Sequence, residues 1–169
     1  MKPVAIIFLA LVFSQASAQL ANQEIDQQVW LPFTKSLIEK NVEVFMNLHA
    51  EDVIRVEQDT KKILNYQQYK ESMLIDWPKW QEYITKLNAR HTFELRFTNR
   101  IENENSALHI GYYANHYTLP NGEKKSSFGM FHVVLRKYKG VWKIQMDTDT
   151  TLNGTIKEEE FLKASPIGY

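Results

Sequence analysis

Apolar positions along the chain change their period once. Up to Leu87 they recur mostly at helical spacing, and from His91 to Thr150 they alternate with polar positions. Ile25, Val29, Phe33, Leu37 and Ile38 predict a first helix, which either kinks at Pro32 or begins its regular part there. Asn41 is the N-cap candidate for a short second helix bearing Val44, Phe45 and Leu48. Asp52 opens a strand in which Ile54 and Val56 alternate against Arg55 and Glu57, and the polar turn Asp59-Thr60-Lys61 returns the chain to Ile63 and Leu64. Tyr69, Met73, Trp77, Trp80, Ile84 and Leu87 form a second helical stripe, which Pro78 is expected to split in two; such a stripe packs on a sheet. After the strands, Thr155 caps a short helix over residues 156–163, followed by a loose tail from Ser165 to Tyr169. Segregated helices and strands predict an α+β fold, with the helices covering one face of a curved antiparallel sheet.

Turn signals assign side chains to faces. Asn121-Gly122 and Lys139-Gly140 read as two-residue hairpin loops, and Asn103 to Ser106 as a four-residue loop. These lengths pair Pro120 with Glu123, Tyr138 with Val141, and Glu102 with Ala107. One face then collects Ile101, Leu108, Leu135 and Ile144, with Phe93, Phe97, Tyr112, Phe131 and Thr148 further along. That face is expected beneath the helices. Small side chains at Ala114, Gly129 and Thr150, beside His116 and Ser127, predict a cavity there. Its candidate ligand-binding residues are Phe93, Phe97, Tyr112, Ala114, His116, Gly129, Phe131 and Thr148. The other face receives Arg96, Tyr113, Met130, His132, Asp147 and Asp149, with His132 and Asp147 as direct cross-strand neighbours. No carboxylate then lies inside the four C-terminal strands. An internal base would come from Asp52 or Asp76, or from a bulge that flips the end of the last strand.

The catalytic candidates are His116 on the inner face and the His132–Asp147 pair on the outer face. The pair suits general-base chemistry but has no Ser or Cys nucleophile beside it, which favours a structural ion pair. His109, His132 and Asp147 lack metal-ligand spacing, so no metal and no cofactor is expected.

Composition narrows the class. Lys2, the unbroken apolar run from Val4 to Phe13, and Ala16-Ser17-Ala18 match an export signal, 1–18, cut before Gln19. The run is shorter than the roughly 20 residues that span a bilayer, so a soluble periplasmic or secreted product with no membrane anchor is expected. There is no cysteine to form a disulfide. Charge balances at 20 basic and 20 acidic residues with no basic stripe, which argues against a nucleic-acid partner. The expected divisions are the signal at 1–18, one domain at 19–151, and a C-terminal helix and tail at 152–169.

The order of elements, the segment NVEVFMNLHAEDVIRV, and the closing hairpin FHVVLRKYKGVWKIQMDTDTT with Trp142 after a turn glycine together resemble the nuclear transport factor 2-like superfamily, which includes SnoaL-like cyclases and ketosteroid isomerase-like proteins. The resemblance runs from about Gln23 to Thr151, and the chain is most similar to exported bacterial members with no assigned activity. It implies a curved sheet of about six strands wrapped around N-terminal helices to form a conical pocket. It also implies frequent dimerisation through the outer sheet face, here Arg96, Tyr113, Met130 and His132. Three functions follow: an exported protein holding a small, largely apolar ligand in the cone; an isomerase, dehydratase or cyclase-type enzyme using acid–base residues in that pocket; or a dimeric interaction module with a filled cone.

Overall fold

A computed structural model describes residues 22–167, so the expected export signal lies outside the described residues. The chain enters through a π-helical segment, Asp26–Trp30, that runs directly into helix α1, Leu31–Glu39. Pro32 sits in the first turn of α1, and the regular α-helix begins there, directly after the π-helical turn. Helix α2, Val42–Met46, is capped by the Asn41 side chain, which accepts from Val44 N at 3.1 Å. Strands β1, His49–Glu57, and β2, Lys62–Leu64, form a hairpin. Helix α3, Tyr66–Lys86, runs unbroken through Pro78. The expected split is absent because Pro78 lies on the exposed side, while Tyr69, Trp77 and Ile84 hold the helix down from the buried side.

Four long strands follow: β3, Arg90–Glu102; β4, Ser106–Thr118; β5, Lys124–Tyr138; and β6, Val141–Thr150. Helix α4, Glu158–Lys163, starts two residues later than expected. The chain then adds a two-residue strand, β7, Ser165–Pro166, where a loose tail was expected. The fold is α+β, and its curved, unclosed sheet has the order β2-β1-β6-β5-β4-β3-β7. Strand β1 pairs with β6 in parallel, which places Arg55 beside Asp147.

The predicted register fails at β4. Leu119 N bonds to Glu123 O at 2.8 Å and Gly122 N to Leu119 O at 2.9 Å, so the loop is the three residues Pro120-Asn121-Gly122. Gly122 takes the left-handed conformation that this turn requires at its last position (φ +84°). One extra loop residue shifts β4 against β5 by one position, pairing Tyr112 with Met130 and Tyr113 with Gly129. A shift of one exchanges every side chain of β4 between faces. Tyr112, Ala114 and His116 therefore lie on the outer face, and His109, Tyr113 and Asn115 on the inner one.

Two bulges complete the correction. Near its hairpin β3 pairs with β4 as predicted, Ile101 with Leu108, but an irregularity at Thr98 brings Phe97, Leu95 and Phe93 back inside. The predicted Leu135–Ile144 pair of β5 and β6 also holds. An irregularity at Gln145 then turns Asp147 and Asp149 inward and Thr148 outward. Asp147 now faces Val133 across the ladder and His132 faces Thr148. The predicted His132–Asp147 pair is thus divided between two faces.

The core under the helices joins Ile25, Val29 and Trp30 to Phe97, Leu135 and Ile144 of the sheet. A second cluster, Phe45, Met46, Tyr69 and Trp77, packs where α2 meets α3.

Candidate functional site

The cavity lies between these two clusters. Its volume is about 230 Å³. Trp30, Phe33 and Leu37 form one wall, Met73, Trp77 and Trp80 of α3 another, and Phe93, Leu95, Phe131 and Val133 of the sheet a third. The polar floor comes from the two elements that the bulge and the parallel pairing bring together, β6 and β1.

Arg55 is the hub of that floor. Its Nη1 donates to Asp147 Oδ1 at 3.2 Å and its Nη2 to Asp149 Oδ1 at 2.7 Å. The Tyr69 hydroxyl donates to Asp147 Oδ2 at 2.8 Å, and the Tyr113 hydroxyl to Asp149 Oδ2 at 3.2 Å. His49 Nδ1 donates to the Phe45 carbonyl at 2.9 Å, leaving Nε2 3.6 Å from Asp147 Oδ2. Burial works against the charge on Arg55, but the neighbouring Tyr69 and the two carboxylates more than offset it and raise its pKa.

The two aspartates have different environments. The Asp147 side chain is 7% exposed and that of Asp149 27%. Burial pushes Asp147 up, yet Arg55, His49 and Tyr69 together hold it well below the usual carboxylate range. Burial and then the negative charge of Asp147 leave Asp149 raised, despite Arg55 and Tyr113. Burial, with the adjacent Asp149, raises the Tyr113 hydroxyl. The floor therefore holds one firmly ionised carboxylate and one that takes up a proton more readily.

Two supports fix this geometry. Asp59, in the turn after β1, accepts from Thr150 Oγ1 at 2.6 Å and from Thr151 N and Oγ1, each at 2.7 Å, tying down the end of β6. The bonds from Thr150 and Thr151 pull its carboxyl down to about 2. Gly129 lies directly across from Tyr113, and a Cβ there would sit 2.2 Å from the tyrosine Cζ. The Tyr113 ring fits over the bare backbone and reaches Asp149 from there. At the opposite wall, Lys40 Nζ lies 3.6 Å from the Trp80 ring centroid and donates to the Leu37 carbonyl at 2.7 Å; burial pushes its pKa down to about 8.

Of the sequence-predicted ligand residues, Phe93 and Phe131 line this cavity. Phe97 is on the correct face but packs into the core against Trp30 at 5.5 Å, and Gly129 is covered by Tyr113. Tyr112, Ala114, His116 and Thr148 lie outside. His116 Nδ1 meets Ser126 Oγ at 2.8 Å, and its ring lies beside Phe161 of α4, which covers that end of the outer face. Of the three catalytic candidates, only Asp147 reaches the cavity. Asp52 is exposed, and Asp76 is exposed and paired with Lys79 at 3.5 Å. Among the residues expected at a dimer face, Tyr113 is inside and Arg96 is held by Glu94, the Ala164 carbonyl and the Phe161 ring.

Sequence reasoning did not place Arg55 or Tyr69 in the site, and it brought Asp149 inside only under the alternative of a bulge in the last strand, which the irregularity at Gln145 supplies. One readable signal was Leu119-Pro120-Asn121-Gly122 itself: proline favours the first turn position and glycine the left-handed one, as a three-residue loop requires. Among the described residues no group of three His, Cys, Asp or Glu side chains could hold a metal ion, and no helix is long and apolar enough to cross a membrane.

Solved structures share the fold. A protein from Novosphingobium aromaticivorans, described as NTF2-like with a cystatin-like fold, superposes at a TM-score of 0.64 over 94% of this chain and 96% of its own, with 10% identity. The fold is that of the nuclear transport factor 2-like proteins. The association domain of C. elegans CaMKII shares this nuclear transport factor 2-like fold at a TM-score of 0.59, over 80% of this chain and 98% of its own, with 14% identity. A candidate ketosteroid isomerase from Shewanella frigidimarina does so at 0.53, over 72% of this chain and 91% of its own, with 19% identity. No protein-family model and no curated protein matches the sequence.

Proposed function

We propose that this is an exported protein that holds a small, largely apolar molecule in the cone, with the molecule's polar end at Asp149. The supporting observation is an aromatic-walled cavity whose floor has a half-open carboxylate held in place by Arg55 and Tyr113. Such a pocket combines apolar area for affinity with a few fixed polar groups for orientation. Calorimetric titration with indole, which matches the cavity in size and character, tests the reading. Saturable one-to-one binding is expected, and Met73→Trp, which fills the space from α3, should abolish it while the fold is retained. A folded protein that takes up neither indole nor a ligand from its own host ends the proposal. Native mass spectrometry of host-purified protein reads the second of these.

A second reading is an acid–base enzyme of the isomerase, dehydratase or cyclase type. It is favoured by the raised Asp149, which faces the cavity next to a hydroxyl donor. Exchange of α-protons of a small cyclic ketone into deuterated water, lost in Asp149→Asn, would support it. No exchange above the buffer rate would remove it.

Homodimerisation through the outer sheet face also belongs to the proposal. Ile54 and Ile101 are more than half exposed on that face, which also carries Met130 and His132. A monomer by sedimentation at micromolar concentration would count against it.

A further inference from the structure

We infer that the cavity selects a small arylalkylammonium ion over the corresponding carboxylate. This deepens the binding reading above and rests on it. The argument starts from how the donors on the floor are used. Both terminal nitrogens of Arg55 and the hydroxyls of Tyr69 and Tyr113 already donate to Asp147 or Asp149. Arg55 Nε is buried and without a partner, so it is sealed from an incoming molecule as well. Arg55 is the one cation lining the cavity among the described residues, and it faces two carboxylates. A carboxylate ligand would add a third negative charge to a floor whose single cation already faces two, so it meets net repulsion there.

An ammonium meets the opposite situation. A carboxylate oxygen has more than one lone-pair site, so each oxygen of Asp149 can accept a further bond after those from Arg55 and Tyr113. Both aspartates line the cavity, and Asp149 is the more exposed of the two, so it is the one more accessible to an ammonium. The walls suit a cation as well. Indole and phenyl faces attract an ammonium, and one wall ring already holds one, since Lys40 Nζ lies over Trp80. Lys40 itself lies against that ring and the Leu37 carbonyl and does not line the cavity.

Three molecules of nearly equal size separate the possibilities: phenethylamine, 2-phenylethanol and phenylacetate, titrated into the protein at pH 7 and low salt. The order expected is amine, alcohol, acid, with the amine binding at least about tenfold more tightly than the acid. Asp149→Asn should bring the ratio of amine to alcohol affinity close to one, because an amide can accept from either group but carries no charge. Phenylacetate binding most tightly, or an amine-to-alcohol ratio unchanged in Asp149→Asn, overturns the inference. If indole binds and the amine gains no advantage, only the ligand class is wrong. If indole and all three compounds fail to bind, the binding reading falls with it.

Discussion

The inner face of the sheet carries two buried charged clusters, and they are built to opposite specifications. The first, at the end where the chain enters, is closed. Arg100 grips Asp26 of the π-helical segment with two bonds of 3.1 and 2.7 Å and also reaches the Asn22 carbonyl. Trp30 Nε1 donates to His109 Nδ1 at 2.8 Å, which leaves Nε2 to carry the proton and donate to Glu102 at 2.9 Å. This chain of partners joins helix to sheet. In the second cluster both terminal nitrogens of Arg55 are bonded too, but Asp149 lines the cavity. One cluster locks the fold, and the other exposes a charge that the fold alone has no use for. A partly buried carboxylate with free acceptor capacity is the stronger functional signal because stability does not explain it.

Breaking the closed cluster should have the largest effect. Arg100→Met strands Asp26 in the core and is expected to cost about 3–5 kcal/mol in denaturant unfolding, with indole affinity unchanged in the protein that remains folded. Asp147→Asn comes next, because it weakens bonds from both Arg55 and Tyr69; a loss of roughly 1.5–3 kcal/mol is expected in the same assay. Gly129→Ala should cost about 1–3 kcal/mol by pushing the Tyr113 ring off its seat, and should weaken ligand binding through the lost contact with Asp149. Asp149→Asn is expected to change stability least, within about 1 kcal/mol and toward a higher melting temperature at pH 7, while altering ligand preference most.

Acid should separate the clusters further. Burial lowers the pKa of His109 below its ordinary 6.5, so the unfolded chain binds that proton more readily. The stability that neutral His109 contributes is present above about pH 6.5 and is lost as pH falls through the lower folded value. Asp149 has the opposite sign. Its folded pKa lies above the ordinary 3.8, so its ionised form is a cost at neutral pH that disappears as pH falls through the folded value. Melting temperatures of the parent and Asp149→Asn should therefore converge on acidification. A gap that widens in acid would mean that Asp149 is stabilised as an anion and that the contrast between the clusters is wrong.

Much of the fold was legible because hydrophobic period and caps are local signals. The Asn41 cap, the Lys139-Gly140 hairpin and the Glu102–Ala107 pairing lie in the structure where the sequence puts them. The site was not legible because it depends on cumulative register. A loop one residue longer at Pro120 reversed β4, and bulges at Thr98 and Gln145 each reversed what lay beyond them. Bulged residues carry no strong local preference, so apolar alternation continues through them without a visible break. Arg55 was misplaced for a related reason. Val53 and Ile54 are both apolar, and only tertiary packing reveals that Val53 is the buried one and that Arg55 shares its side of the strand.

The sheet's two ends bear on colloidal behaviour instead of recognition. Its outermost strands, β2 and β7, have three and two residues. A strand that short offers few unpaired backbone groups to another molecule. Ser165 and Pro166 also cover part of the long edge of β3 beside Phe97 and Arg96, and proline has no N–H with which to extend the ladder. Ser165 and Pro166 thus act as a stopper against edge-to-edge growth. Clipping them should be noticed first as turbidity on concentration, well before any loss of secondary structure.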